Sequence, residues 1–364
     1  MNVIDQVRAW VELARRGPDP TQREPMLRLV YRLWAVALLL KMLGASWDVS
    51  WHFKWLRDDL APPHLLNTVG TVLAVALVVF HSYTRFGMDT LALRVAQAGT
   101  ALFLIAIPVD LLNHAVNGLD ITSWSYSHAM LYAGTALMIA AVIRGWWLAG
   151  NRPLLAVAFW LFFFENVLFP NQHQEYGVLS IQAWDRGAPY AEPSLLAFAA
   201  NQIGRPVDRV AVLHFAMPVE HWLYPFYAAV AGMFVLICAR QFVNRPWAAT
   251  AVAGAYVAYR SVIWLVLVGT GFPPSTVPFL LLLGAVAVDV AFLLPATLRL
   301  ATAAVLAVPA TYLGVWLQDR LIEAPPSDYA AWPWAIAGLL GLCLLLAAFT
   351  RFWSRVNPGV PSAR

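Results

Sequence analysis

The chain has 364 residues, of which 60% are hydrophobic and only 12% charged, with a formal net charge of +4 and a mean hydropathy of +0.64. A soluble domain carries about a quarter of its residues as charges, so this balance excludes one and predicts an all-α, polytopic membrane protein. The Arg residues fall mostly at the ends of apolar runs, where membrane topology accounts for them, and no nucleic-acid partner is implied.

Residues 1–27 lack a long apolar core and do not read as a cleavable signal. Val3, Ile4, Val7, Trp10, Val11 and Ala14 recur at helical spacing, with Asp5, Arg8, Glu12, Arg15 and Arg16 between them, until GPDP ends the pattern. This predicts an amphipathic helix on the inner membrane surface, or one packed on an inner loop. Ten runs then have the length of a span: 28–50, 64–84, 92–114, 128–147, 152–170, 209–240, 247–269, 276–297, 299–318 and 332–353. Alternate connections carry Arg85 and Arg94, Arg144 and Arg152, Arg240 and Arg245, and Arg299, which places both termini inside. Residues 28–240 form a six-helix part with a long outer loop at 171–208, and residues 241–364 form a four-helix accessory part. The loop carries Tyr176, Trp184, Tyr190 and Phe198, side chains suited to shielding a site or capping the bundle. Cys238 and Cys343 lie in apolar runs and read as packing residues.

On this topology seven of the eight histidines (His52, His64, His114, His128, His173, His214 and His221) lie toward the outer ends of the first six spans, and only His81 lies at an inner end. Four of the seven belong to a repeat. Asp48 and His52 end one apolar run and His64 opens the next, with Gly70 six residues beyond; Asp110, His114, His128 and Gly134 repeat the plan. Residues i and i+4 share a helical face, so each Asp-His pair aims a carboxylate and an imidazole at one point, and the second His enters from the next span. A His2Asp set with an open position suits copper, zinc or iron better than magnesium or calcium. The alternative is a pair of Asp-His hydrogen bonds that fix helix ends.

At these residues the chain resembles one of the integral-membrane components of the copper-dependent membrane monooxygenases, the particulate methane and ammonia monooxygenase family. Asp48, His52 and His64, with the Arg57-Asp58 pair and Pro63, look like that component's Asp/His/His copper site. Asp110, His114 and His128 look like the neighbouring site, with Asp110 standing where the family has Asn and adding a negative charge. The resemblance covers about residues 40–135. It implies a multi-pass protein of a bacterial cytoplasmic membrane that hydroxylates a small apolar substrate with O2, takes electrons from quinol and assembles with other membrane subunits. Asp110, His114 and His128 would hold the reactive copper, and Asp48, His52 and His64 a second copper for structure or electron transfer.

Glu165, His173, His214, Glu220 and His221 are candidates for a third site, for groups around the first two, or for the polar lining of an outer vestibule. Arg260 and Asp289, charges inside neighbouring apolar runs, are expected to pair. Two other activities fit the same residues: a zinc-dependent membrane hydrolase acting on a lipid, with Glu220 as general base, and a metal-binding or transport protein without catalysis. A bis-His haem protein is a further reading.

Overall fold

In the computed structural model, residues 2–56, 60–117, 121–149 and 153–356 are described. Arg57, Asp58 and Arg152, used above for topology or resemblance, lie outside the described residues. Among the described residues the chain is all-helical, with no strand. Eight helices are long and apolar enough to cross a membrane. In the absence of water, a helix satisfies its own backbone, which is why long apolar runs adopt it.

The chain comprises two compact units. Unit 1 comprises Met1–Asp48, Asp58–Asp120 and Ser125–Asn166, and unit 2 comprises Val49–Arg57, Ile121–Trp124 and Val167–Arg364.

Unit 1 contains α1 (Val3–Arg16), most of α2 (Pro20–His52), α3 (Pro62–Thr84), α4 (Thr90–Asn117), α5 (Tyr126–Leu148) and the first part of α6 (Pro153–Asp185). The predicted amphipathic helix is α1, which packs on α3 through Trp10 stacked on Phe80 at 5.7 Å and Arg15 donating to the Tyr83 hydroxyl at 3.1 Å. The α3–α4 turn is pinned by Asp89, which takes Arg144 of α5 in a bidentate pair at 2.6 Å. Burial alone raises the Asp89 carboxyl, but the Arg144 guanidinium and the Ala92 N–H outweigh it and hold the group below its ordinary value. His81 is structural: its Nε2 accepts from Trp34 Nε1 at 3.0 Å, which leaves Nδ1 to donate to the Phe86 carbonyl at 2.6 Å. The span expected at 28–50 lies within α2, whose apolar stretch is punctuated by Arg28, Arg32, Lys41 and Asp48 and which is not among the eight.

Unit 2 contains the rest of α6, then α7 (Pro193–Gln202), α8 (Arg209–Ala216), α9 (Leu223–Tyr227), α10 (Met233–Val243), α11 (Ala248–Gly269), α12 (Leu281–Ala291), α13 (Ala296–Leu321) and α14 (Trp332–Val356). Three expectations are corrected here. The outer loop at 171–208 is not a loop, because α6 continues through Pro170 to Asp185 and α7 follows. Its NQHQEY run is buried, and Asn171, His173, Gln174 and Glu175 find partners inside the unit. Asn171 Nδ2 donates to the Tyr224 carbonyl at 3.1 Å, Trp124 Nε1 to Gln174 Oε1 at 3.1 Å, and His173 Nε2 meets the Phe215 carbonyl at 2.9 Å. The run expected at 209–240 is broken: α8 stops at Ala216 before Pro218, the helix resumes at Leu223, and a π turn at Ala228–Gly232 leads into α10. The run expected at 276–297 is helical only over the 11 residues of α12, about 16 Å at the α-helical rise and half a bilayer core. Pro273, Pro274 and Pro278 delay its start.

The expected Arg260–Asp289 pair is also absent. Arg260 Nη1 lies 2.6 Å from Glu175 of α6, and Asp289 takes Arg240 at 3.0 Å together with the N–H and hydroxyl of Thr250, both at 2.8 Å.

Candidate metal centre

The repeat falls on two helix pairs, α2 with α3 and α4 with α5, and in each the glycine of the motif is where backbones meet. A Cβ added at Gly70 of α3 would fall 2.7 Å from the Ala37 carbonyl and 2.8 Å from the Lys41 nitrogen of α2. At Gly134 of α5 it would fall 2.7 Å from the Phe103 nitrogen and 2.8 Å from the Gly99 carbonyl of α4. Ala37 and Gly99 each lie eleven residues ahead of their Asp, so the two crossings occupy the same register. Each crossing sets the distance between the helix that carries Asp-x3-His and the helix that carries the second His. Gly134→Val is therefore expected to force α5 off α4, costing about 1–3 kcal/mol by overpacking. Thermal unfolding in mild detergent checks this; a variant as stable as the native chain contradicts the packing.

In the first copy, α2 is unbroken from Pro20 to His52, so His52 stands one turn beyond Asp48 on the same face. Pro62 and Pro63 open α3, their fixed φ suited to a helix start, and His64 follows in the first turn. His64 Nε2 lies 2.9 Å from Asp48 Oδ1. One ligand atom from each of Asp48, His52 and His64 lies within 4.8 Å of the other two, and all three residues are partly buried. Among the described residues this is the one group of three His, Cys or acidic side chains so arranged. The closing turn of α2 also directs its carbonyl dipoles toward a cation.

The second copy is built differently around its carboxylate. Asp110, 5% exposed, has Oδ1 3.5 Å from His114 Nε2 and 3.9 Å from His128 Nε2. Ser127, immediately before His128, donates its hydroxyl to the same oxygen at 2.8 Å. Ser125 caps α5 by accepting from the His128 N–H at 3.3 Å, and Tyr126 donates to Asn113. Asp110 thus sits between two imidazoles as a hydrogen-bond acceptor rather than at the apex of three converging ligands.

The remaining candidates are dispersed. Glu165 is buried in the unit 1 part of α6. In unit 2, His173 is buried between the rings of Phe53 and Phe215, at 4.9 Å and 5.9 Å, while His214, Glu220 and His221 are exposed.

Sequence reasoning missed two groups. Lys41, 5% exposed, donates to Asn67 Oδ1 at 3.1 Å and Thr71 Oγ1 at 2.8 Å. A lysine inside the run ALLLKMLG was the signal. Glu175 was missed because the polar run around it read as a loop. No family model matches the chain, and no curated protein or solved structure is significantly similar to it.

Proposed function

We propose that the chain is a membrane oxidoreductase whose primary copper site is Asp48, His52 and His64. The observation that carries this reading is the convergence of three ligand atoms within 4.8 Å of one another. The donor set fits the ion: two imidazoles and one carboxylate suit copper, and the all-oxygen shells of calcium or magnesium do not resemble it. Copper held there supplies a one-electron couple at which O2 is reduced. Asp48 contributes the negative charge that offsets the ion, and its contact with His64 fixes that imidazole in the partly buried position a ligand needs.

Asp110, His114 and His128 form a second, weaker metal position, because their ligand atoms do not converge as those of Asp48, His52 and His64 do. The reaction proposed is hydroxylation of a small apolar substrate that enters from the bilayer. One substrate, one O2 and one quinol give the alcohol, water and quinone, the quinol supplying both electrons and both protons. Other membrane subunits complete the assembly. Both termini are placed on the inner side of a bacterial cytoplasmic membrane, with α2 and the 273–291 segment, of which α12 supplies only the second half of the crossing, bringing the spans to ten.

Elemental analysis and electron paramagnetic resonance of the chain purified in mild detergent test the reading. The expected result is about one tightly held copper per chain, with O2 consumed when a quinol and a short alkane are supplied. Stoichiometric zinc, or no metal at all, rejects it.

A further inference from the structure

The two copies of the repeat serve as controls for each other, and one position breaks their symmetry. Seven residues ahead of Asp48 stands Lys41, and seven ahead of Asp110 stands Phe103; three residues after His64 stands Asn67, and three after His128 stands Leu131. The glycine crossings on either side are the same in both copies, so an apolar pair fills this position without loss of the fold. Copy one instead buries an ammonium. Its Nζ donates to Asn67 and Thr71 and lies 4.0 Å from the centre of the Phe103 ring, and among the described residues it has no carboxylate partner. A buried lysine held by neutral acceptors costs stability that the second copy avoids.

Two turns of α2 separate Lys41 from Asp48, about 10 Å along the axis. At an effective dielectric near 20, two unit charges at that distance shift an equilibrium by roughly tenfold. The distance is too long for a ligand and short enough for electrostatic coupling.

We propose that Lys41 is the redox-linked charge of the Asp48, His52 and His64 centre, losing its proton when the metal is oxidised and regaining it on reduction. The inference rests on the copper reading above. The step balances: oxidation sends one electron to the acceptor and one proton from Nζ to water, leaving a neutral amine beside the more positive centre. Facing Lys41 are Asn67 and Thr71 of α3 and the Phe103 ring of α4, none of which titrates. Asp48 and His52 on its own helix and His64 on α3 are the candidate ligands.

The test is a redox titration of the copper signal in the full-length chain between about pH 6 and 9, in the native protein, Lys41→Met and Lys41→Arg, after copper content is measured in each. The native midpoint should fall as pH rises. Lys41→Met should favour the oxidised form by roughly tenfold at the acid end and lose the pH dependence. Lys41→Arg should keep the acid-end midpoint of the native chain and lose the pH dependence, because a guanidinium keeps its charge. If Lys41→Met does not fold, Lys41→Phe with Asn67→Leu, which installs the residues of copy two, replaces it. Full copper content with an unchanged pH slope in the Met and Phe/Leu variants overturns the inference alone and leaves Lys41 as a strut between α2 and α3. A native chain without copper overturns the metal reading and this inference with it.

Discussion

Glu175→Gln and Arg260→Met should each destabilise unit 2 by about 3–5 kcal/mol, the cost of leaving one member of a buried ion pair without the other. Glu175 and Arg260 side chains are 3% and 1% exposed and 2.6 Å apart. The pair sits in a fixed set of neutral groups: the Tyr224 hydroxyl donates to Glu175 at 3.2 Å, and Arg260 donates to Tyr256 at 3.2 Å and Ser275 at 2.9 Å. Those groups orient the charges but do not neutralise them. Glu175→Gln keeps the shape and strands a guanidinium, and Arg260→Met strands a carboxylate. The double variant should therefore lose much less than the sum of the two, since no unpaired charge remains. Thermal unfolding in mild detergent gives all three values. Single variants within about 1 kcal/mol of the native chain, as at exposed pairs, would show that water reaches the pair.

The consequence extends along α6. Glu175 also accepts the Thr276 N–H through its backbone carbonyl at 2.9 Å, so the ion pair and the 275–276 segment hold the polar half of the helix together. A Cβ added at Gly177 would fall 2.0 Å from the Ala216 carbonyl, so the backbone of α6 is pressed against the end of α8 as well. Loss of the pair is expected to loosen this polar half first.

These contacts explain which parts of the chain could be read in advance. Long apolar runs bounded by Arg gave α3, α4, α5, α11, α13 and α14 close to their observed limits, because self-satisfied helices are what hydrocarbon permits. The polar half of α6 is not legible in the sequence, because composition shows only that Asn171, His173, Gln174 and Glu175 need partners. That Tyr224, Phe215, Trp124 and Arg260 supply them is tertiary information. The partner of Arg260 went wrong for the same reason: with Glu175 assigned to a loop, Asp289 was the carboxylate left inside the membrane. At the repeat, spacing identified both Asp-His pairs and both crossing glycines. The difference between the two copies lay in single residues beside the motif. Pro63 stands before His64, whereas Ser127 stands before His128 and donates its hydroxyl to Asp110.

That difference predicts unequal losses of metal. His64→Ala and Asp48→Asn should each weaken tight copper binding by at least about a hundredfold, since changes to groups that merely support a ligand already cost 10–100-fold. His114→Ala and His128→Ala should leave the tight site intact and remove only binding seen at higher metal concentration. The reason is geometric. The first triad already presents three ligand atoms within 4.8 Å, so an ion has little reorganisation to induce. At the second, Asp110 Oδ1 lies 3.5 Å and 3.9 Å from the two imidazoles, but the three residues do not offer one ligand atom each within 4.8 Å of the other two, so the imidazoles must turn toward each other to share an ion. That reorganisation is set against binding, and each ~1.4 kcal/mol of it is a decade of affinity. Ser127→Ala, which removes the hydroxyl that holds Asp110 in place, should weaken the second site further while the first is unchanged. Metal titrations of the five variants against the native chain separate the cases. Equal losses at both triads would mean that the ligands converge only once an ion is present, and unchanged binding with lowered thermal stability would make both triads anchors between helix ends.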